Sequence, residues 1–181
     1  AIYNESVRYL TDVVQQNWAD IEKIEKPKFR MAHVEKLIHE TADNKPLYDF
    51  DTRFPKFPSY FRRSAINSAI GIVSAYMSAI DNWVADECKG SMPKMDAAVH
   101  QMPCFYHGNC FRNMTDDTAE IKVFRNNDWV WQKVRLNHSD LKYLKKKTPV
   151  DQWSAPALVK KYSGYELRFT VNRKVVLSSK P

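Results

Sequence analysis

The sequence predicts an α+β protein in two parts: an N-terminal helical bundle, then a small antiparallel β-barrel or sheet. Three observations carry this. Up to about residue 85, apolar residues recur at three- and four-residue spacing. Beyond Pro103 they alternate with period two. Between these regions, residues 86–103 are punctuated by Gly90, Pro93 and Pro103. The expected domains are therefore 1–85, helical, and 86–181, strand-rich, with 86–103 an irregular connection.

Val7, Leu10, Val14, Trp18 and Ile21 lie on one face of a first helix, with Asn4 as its expected cap and Pro27 as its stop. A shorter helix is expected from Lys28 to His39, with Phe29, Val34, Leu37 and Ile38 inward. Pro46, Pro55 and Pro58 break the next stretch, which reads as a loop pinned by Tyr48, Phe50, Phe54 and Phe57. Ser59 is the expected N-cap of a third helix running from Tyr60 to Val84, with Ile66, Ile70, Val73, Met77, Ile80 and Val84 as its core stripe. In the second part, Ala119–Val123 and Trp129–Leu136 read as strands around an Asn126-Asn127-Asp128 turn. Ser139 is expected to cap a short helix over residues 139–147. Leu158–Tyr162 and Tyr165–Val171 read as a hairpin about Ser163-Gly164.

The chain has 181 residues and a net charge of +7. The charge is uneven: residues 1–51 carry 7 basic and 10 acidic side chains, residues 52–181 the remaining 21 basic and 11 acidic. An excess of cations in the second part points to a polyanionic partner, and aromatic residues mixed with them suit nucleic acid, whose bases stack on aromatic faces. No apolar run is long enough for a membrane helix, and no secretory leader is visible, so no membrane partner is expected. Three cysteines, Cys88, Cys104 and Cys110, leave at least one unpaired, which fits a reducing cytoplasm.

Ser59-Tyr60-Phe61-Arg62-Arg63 puts two arginines into a helix's first turn, where the macrodipole is already positive. Either the turn is solvated, or something negative lies beside it. A phosphate backbone, with Tyr60 stacking on a base, is the functional version of that second reading. Cys104-x-x-His107-x-x-Cys110 has the look of half a metal site, but a closed zinc site needs four ligands; buried free thiols are the preferred reading and no metal is assigned. Asp49 with Asp51 and Asp116 with Asp117 sit in turn-like contexts where aspartates cap or bend the chain. With four glycines, a phosphate-binding loop is not expected. Trp129, Trp131 and Trp153 read either as core or as stacking platforms.

The segments YDFDTRFPKFPSYFRRSAINSAIGIVSAYMSAIDNW, MPCFYHGNCF, AEIKVFRNNDWVWQKVRL and SAPALVKKYSGYELRFTV, in that order, resemble the N-terminal region of the OrfB (TnpB) proteins of bacterial insertion sequences. These are transposon-encoded, RNA-guided DNA endonucleases, associated with transposases and related to type V CRISPR effectors. The resemblance runs roughly from the first helix to Val171. It implies that the helices are a recognition lobe and the strands a wedge barrel, which together hold guide RNA and read a short motif in double-stranded target DNA. In that family a following RuvC-like domain cuts, using Mg²⁺ on an acidic triad. This chain is expected to stop about where that domain begins, and so to be non-catalytic by itself and to need no cofactor. The resemblance implies Ser59, Tyr60, Arg62, Arg63 and Asn67 as DNA contacts. It turns Lys122, Arg125, Lys133, Arg135, Lys145, Lys146, Lys147, Lys160 and Lys161 towards RNA phosphates. Alternative readings are a nuclease-free relative that regulates transcription, and a basic protein-interaction module. The implied location is the bacterial cytoplasm.

Overall fold

The computed structural model describes residues 1–95 and 103–171. The protein is α+β and divides into two compact units, Ala1–Pro103 and Cys104–Pro181. Of the irregular connection expected over 86–103, residues 86–95 and Pro103 fall in the first unit, and the rest lies outside the described residues.

In the first unit, α1 (Ile2–Gln16) buries Tyr3, Val7, Leu10, Val13 and Val14 on the face their spacing defines, and packs along α5. Asn4 lies inside this helix, and Ala1 precedes it. The single helix expected through Ile21 is broken at Asn17 (φ −111°, ψ 15°), after which α2 (Trp18–Ile21) resumes. Asn17 Nδ2 donates to the Val13 carbonyl and to Tyr48 Oη, both at 2.7 Å. A side-chain amide that bonds local backbone competes with the helical ladder, so the break falls there. Pro27 does not merely end a helix; it is the first residue of α3 (Pro27–Ile38), where a missing N–H costs nothing. Val34 and Ile38 are buried, but Phe29, expected inward, is 53% exposed, because it sits in α3's first turn beyond the buried stripe.

The aromatic loop contains one turn of helix, α4 (Phe50–Arg53). Phe50, Phe54 and Phe57 contact one another with ring centroids 4.9–5.9 Å apart, and Tyr9 of α1 meets Phe50 and Phe54. The long helix α5 (Ser59–Ala85) follows, with Pro58 at its N-cap; Ser59 is its first helical residue and makes no capping bond. Its fully buried residues end at Val73, and Val84 is 57% exposed rather than core. Length explains this. At about 1.5 Å per residue, α1 spans about 22 Å and α5 about 40 Å, so α1 can cover little more than half of α5. No helix among the described residues is long and apolar enough to cross a membrane.

Among the described residues, the second unit carries two open antiparallel sheets, not a closed barrel. The first has the order β1 (Phe111–Arg112), β2 (Thr118–Arg125), β3 (Asp128–Arg135). The second pairs β4 (Ala157–Lys161) with β5 (Gly164–Arg168). Single bridges, Cys104 to Ala157 and Trp153 to Val171, connect strand edges without extending the ladders to closure. Between the sheets in sequence comes α6 (His138–Lys147), capped by Asn137 rather than Ser139: the Asn137 side chain accepts from the Ser139 and Asp140 amides. Phe105, Cys110, Phe111, Ala119, Ile121, Leu141, Trp153 and Val159 form this unit's core. Phe169 lies against both Phe111 and Trp153, with centroids 5.8 and 5.1 Å away. The Trp153 indole N–H donates to the Thr148 carbonyl at 3.0 Å, so this tryptophan is core.

Phe50→Ala is expected to cost about 3–5 kcal/mol by emptying the centre of the aromatic cluster, and Val84→Ala less than about 0.5 kcal/mol. Urea midpoints of the two variants check this; a similar loss for both would put the end of α5 in the core.

Candidate nucleic-acid interface

The start of α5 resolves the charge conflict within the protein. Arg62 is 6% exposed. Its Nη2 donates to Glu35 Oε1 of α3 at 3.3 Å, and its Nη1 lies 3.8 Å from Asp51 Oδ1 of α4. Arg63 Nε donates to the other Glu35 oxygen at 3.4 Å. Asp51 also accepts from the Glu40 amide at 3.1 Å and pairs with His39 Nδ1 at 2.7 Å. Two carboxylates from neighbouring helices therefore sit where the α5 dipole and two arginines are positive. Arg62, expected as a DNA contact, is buried in this internal cluster. Ser59 and Asn67 are exposed, Tyr60 and Arg63 half-buried. These four share one face of α5 by helical spacing, and the Arg63 guanidinium lies 5.7 Å from the centre of the Tyr60 ring.

The other candidate surface is one side of the β1–β2–β3 sheet. Residues directly opposite in an antiparallel ladder point the same way. The register pairs Thr118 with Arg135, Glu120 with Lys133, Lys122 with Trp131 and Phe124 with Trp129, and sets Arg112 beside Glu120. Those side chains share the outer side. The other side carries Phe111, Ala119 and Ile121, all buried. Three of the residues implied for RNA, Lys122, Lys133 and Arg135, thus come together with Arg112, to which neither period nor motif points. A two-residue strand is too short to show a period; its only signal is the apolar–charged step from Phe111 to Arg112.

On this side, the Arg112 guanidinium lies 3.9 Å from the centre of the Trp131 ring and Lys122 Nζ 5.0 Å from it. Arg112 Nε donates to Glu120 Oε2 at 2.7 Å, which holds the Glu120 carboxyl below the usual carboxylate range. The remaining expected contacts lie elsewhere. Arg125 is exposed at the hairpin end, on the opposite side of β2 from Lys122. Lys145 Nζ donates to Asp116 Oδ1 at 2.6 Å, lowering that carboxyl's pKa, while Lys146 and Lys147 are exposed in the last turn of α6. Lys160 and Lys161 are exposed on β4, with Lys161 3.8 Å from Glu166.

The aspartate pairs weighed from sequence for metal chemistry have partners within the protein. Asp49 accepts from Tyr9 Oη at 2.6 Å, and burial together with this bond pushes Tyr9 up to about 12. Asp51 and Asp116 are paired as described, and Asp117 accepts from Thr115 Oγ1 at 3.1 Å. Among the described residues, no three His, Cys, Asp or Glu side chains converge as metal ligands would. Cys110 is buried, and desolvation pushes its thiol up to about 11; Cys104 is raised for the same reason. Such thiols stay protonated at neutral pH.

A helical unit joined to a small two-sheet unit with a basic, aromatic sheet face defines this protein. Residues 1–125 match the Aq_aa04 family, about two thirds of the chain, and the protein belongs to that family. The match takes in the first unit's helices together with β1 and β2. No curated protein and no solved structure matches the chain.

Arg62→Ala is expected to cost about 2–4 kcal/mol, because it leaves Glu35 and Asp51 facing each other without their shared cation. Arg63→Ala, half-exposed, should cost at most about 1 kcal/mol. Urea denaturation separates the two, and equal losses would contradict the division between them. At mildly alkaline pH, iodoacetamide should label the exposed Cys88 in the native chain and Cys110 only after denaturation. Because the folded pKa of Cys110 is raised, its share of stability is whole below about pH 9 and is lost as pH rises towards about 11. Mass spectrometry of native and denatured samples, with urea melts from pH 8 to 11, checks both.

Proposed function

We propose that this chain is a nucleic-acid-binding module, holding RNA on the outer side of the β1–β2–β3 sheet. The observation that carries the reading is the strand register. It sets Arg112, Lys122, Lys133 and Arg135 on one side, with Arg112 and Lys122 beside Trp131 and Glu120 opposite Lys133. Cations in such a row neutralise phosphates, and an aromatic residue between them offers a π-face to a base. The cation-rich second part of the sequence supports the same partner.

The helical unit contributes Ser59, Tyr60, Arg63 and Asn67 as the proposed contact with double-stranded DNA, Arg62 acting from beneath by fixing the helix start. The resemblance to the OrfB (TnpB) proteins extends this reading to a bacterial, RNA-guided system. There the RNA is a guide, the protein reads a short DNA motif, and base pairing reads the rest. We assign no cutting step to this chain: Asp49, Asp51 and Asp116 are engaged by Tyr9, by His39 and the Glu40 amide, and by Lys145.

The test is fluorescence anisotropy of the full chain with a structured RNA over a range of KCl. Affinity should fall steeply with salt. The triple variant Lys122→Ala, Lys133→Ala, Arg135→Ala should flatten the log–log slope by about 2, at roughly 0.7–0.9 for each phosphate it no longer neutralises. Absence of salt-dependent binding by the wild type, or an unchanged slope in the variant, overturns the assignment of this face.

A further inference from the structure

We propose that the Arg112 guanidinium, laid on Trp131, is a stacking platform for an unpaired base, so that the outer side of the sheet takes single-stranded rather than duplex RNA. The inference rests on the nucleic-acid reading above and adds the form of RNA this face accepts.

Arg112 is held on two sides. Its Nε is bound to Glu120 Oε2 at 2.7 Å, and its guanidinium lies in contact with the Trp131 ring, 3.9 Å from the ring centre. Asn113 Nδ2 donates to the same Glu120 oxygen at 3.0 Å and fixes that carboxylate in turn. One edge and one plane of the guanidinium are therefore occupied, and the side chain still leaves 42% of its surface exposed. An unpaired base can stack on an arginine plane as it does on an aromatic ring. A guanidinium already ordered by Trp131 and Glu120 loses little further freedom when the base arrives. In an RNA duplex the base faces are stacked on one another, and only backbone and groove edges reach such a surface. Lys122, Lys133 and Arg135, on the same side of the sheet, stand ready for the flanking phosphates.

The experiment uses the full chain with two probes, a short single-stranded RNA oligonucleotide and an RNA duplex of the same length, read by fluorescence anisotropy. The decisive variant is Arg112→Lys, which keeps the charge and removes the plane. The wild type should prefer the single strand. Arg112→Lys should weaken single-strand binding about tenfold, the scale of one base–aromatic stack, and change duplex binding less than about twofold. Trp131→Leu should reproduce that pattern; circular dichroism shows whether it is folded, and Arg112→Lys, at an exposed position, carries the test if it is not. Equal loss on both probes, or no loss on the single strand, overturns the stacking platform while leaving RNA binding in place. Binding of neither probe by the wild type overturns both.

Discussion

The register of the β2–β3 ladder is the constraint on which the proposed RNA-binding face depends, and a two-residue turn sets it. Asn126 and Asn127 both lie at positive φ, 51° and 58°, the type I′ geometry whose twist matches that of paired strands. Asparagine tolerates that region better than other residues with a side chain. With Arg125 and Asp128 closing the turn, every later pair follows, down to Thr118 and Arg135. A slip of β2 by one residue would turn Lys122 inward and Ile121 outward while Trp131 kept its side, separating the cation from the ring. Burial of Phe111, Ala119 and Ile121 resists that slip from the other side of the sheet. Turn and core thus specify the same answer, and the charged side inherits its arrangement from both.

The first unit turns on a different interaction. Two adjacent arginines at one helix start have separate fates because about 100° of helical rotation lies between them. Arg62 faces α3 and α4, where Glu35 and Asp51 meet it; Arg63 stays at the edge, sharing Glu35 and lying beside Tyr60. The cluster joins three helices at the point where the aromatic group of Phe50, Phe54 and Phe57 delivers the chain into α5. It sets two anions against the helix dipole and the two cations, with the buried Arg62 Nε left without a hydrogen-bond partner, so the helix end has its counter-charge inside the protein. Any partner that uses Tyr60 and Arg63 meets a surface that is already organised.

The same economy recurs on the sheet. Glu120 is the acid that the register sets among the cations of the outer side, and it lies where it orders Arg112 instead of merely reducing the charge. Lys145 gives its charge to Asp116, whereas its neighbours Lys146 and Lys147 stand exposed. Residues that look equivalent in a basic run therefore differ in what they can offer a polyanion, and the difference lies in which has a carboxylate within reach.

The two-part α+β plan was legible in the residues alone, because helical and strand periods are local properties that backbone geometry reads directly. It also placed α3, α5, the β2–β3 hairpin and the basic last turn of α6 close to where they stand. Cap positions escaped it at α1, α5 and α6, since several neighbouring residues can each serve and the surrounding chain selects one. So did the break at Asn17, which depends on Tyr48, 31 residues away, and the exposure of Val84, which depends on how far α1 reaches. Lys122, Lys133 and Arg135 were legible as cations, but their union with Arg112 was not, because β1 has no period of its own. Arg62 and Arg63 read as twins in sequence. Which of them is buried follows from packing, because the carboxylates that pair with Arg62 come from α3 and α4, and a charge meets its partner through space, not along the chain.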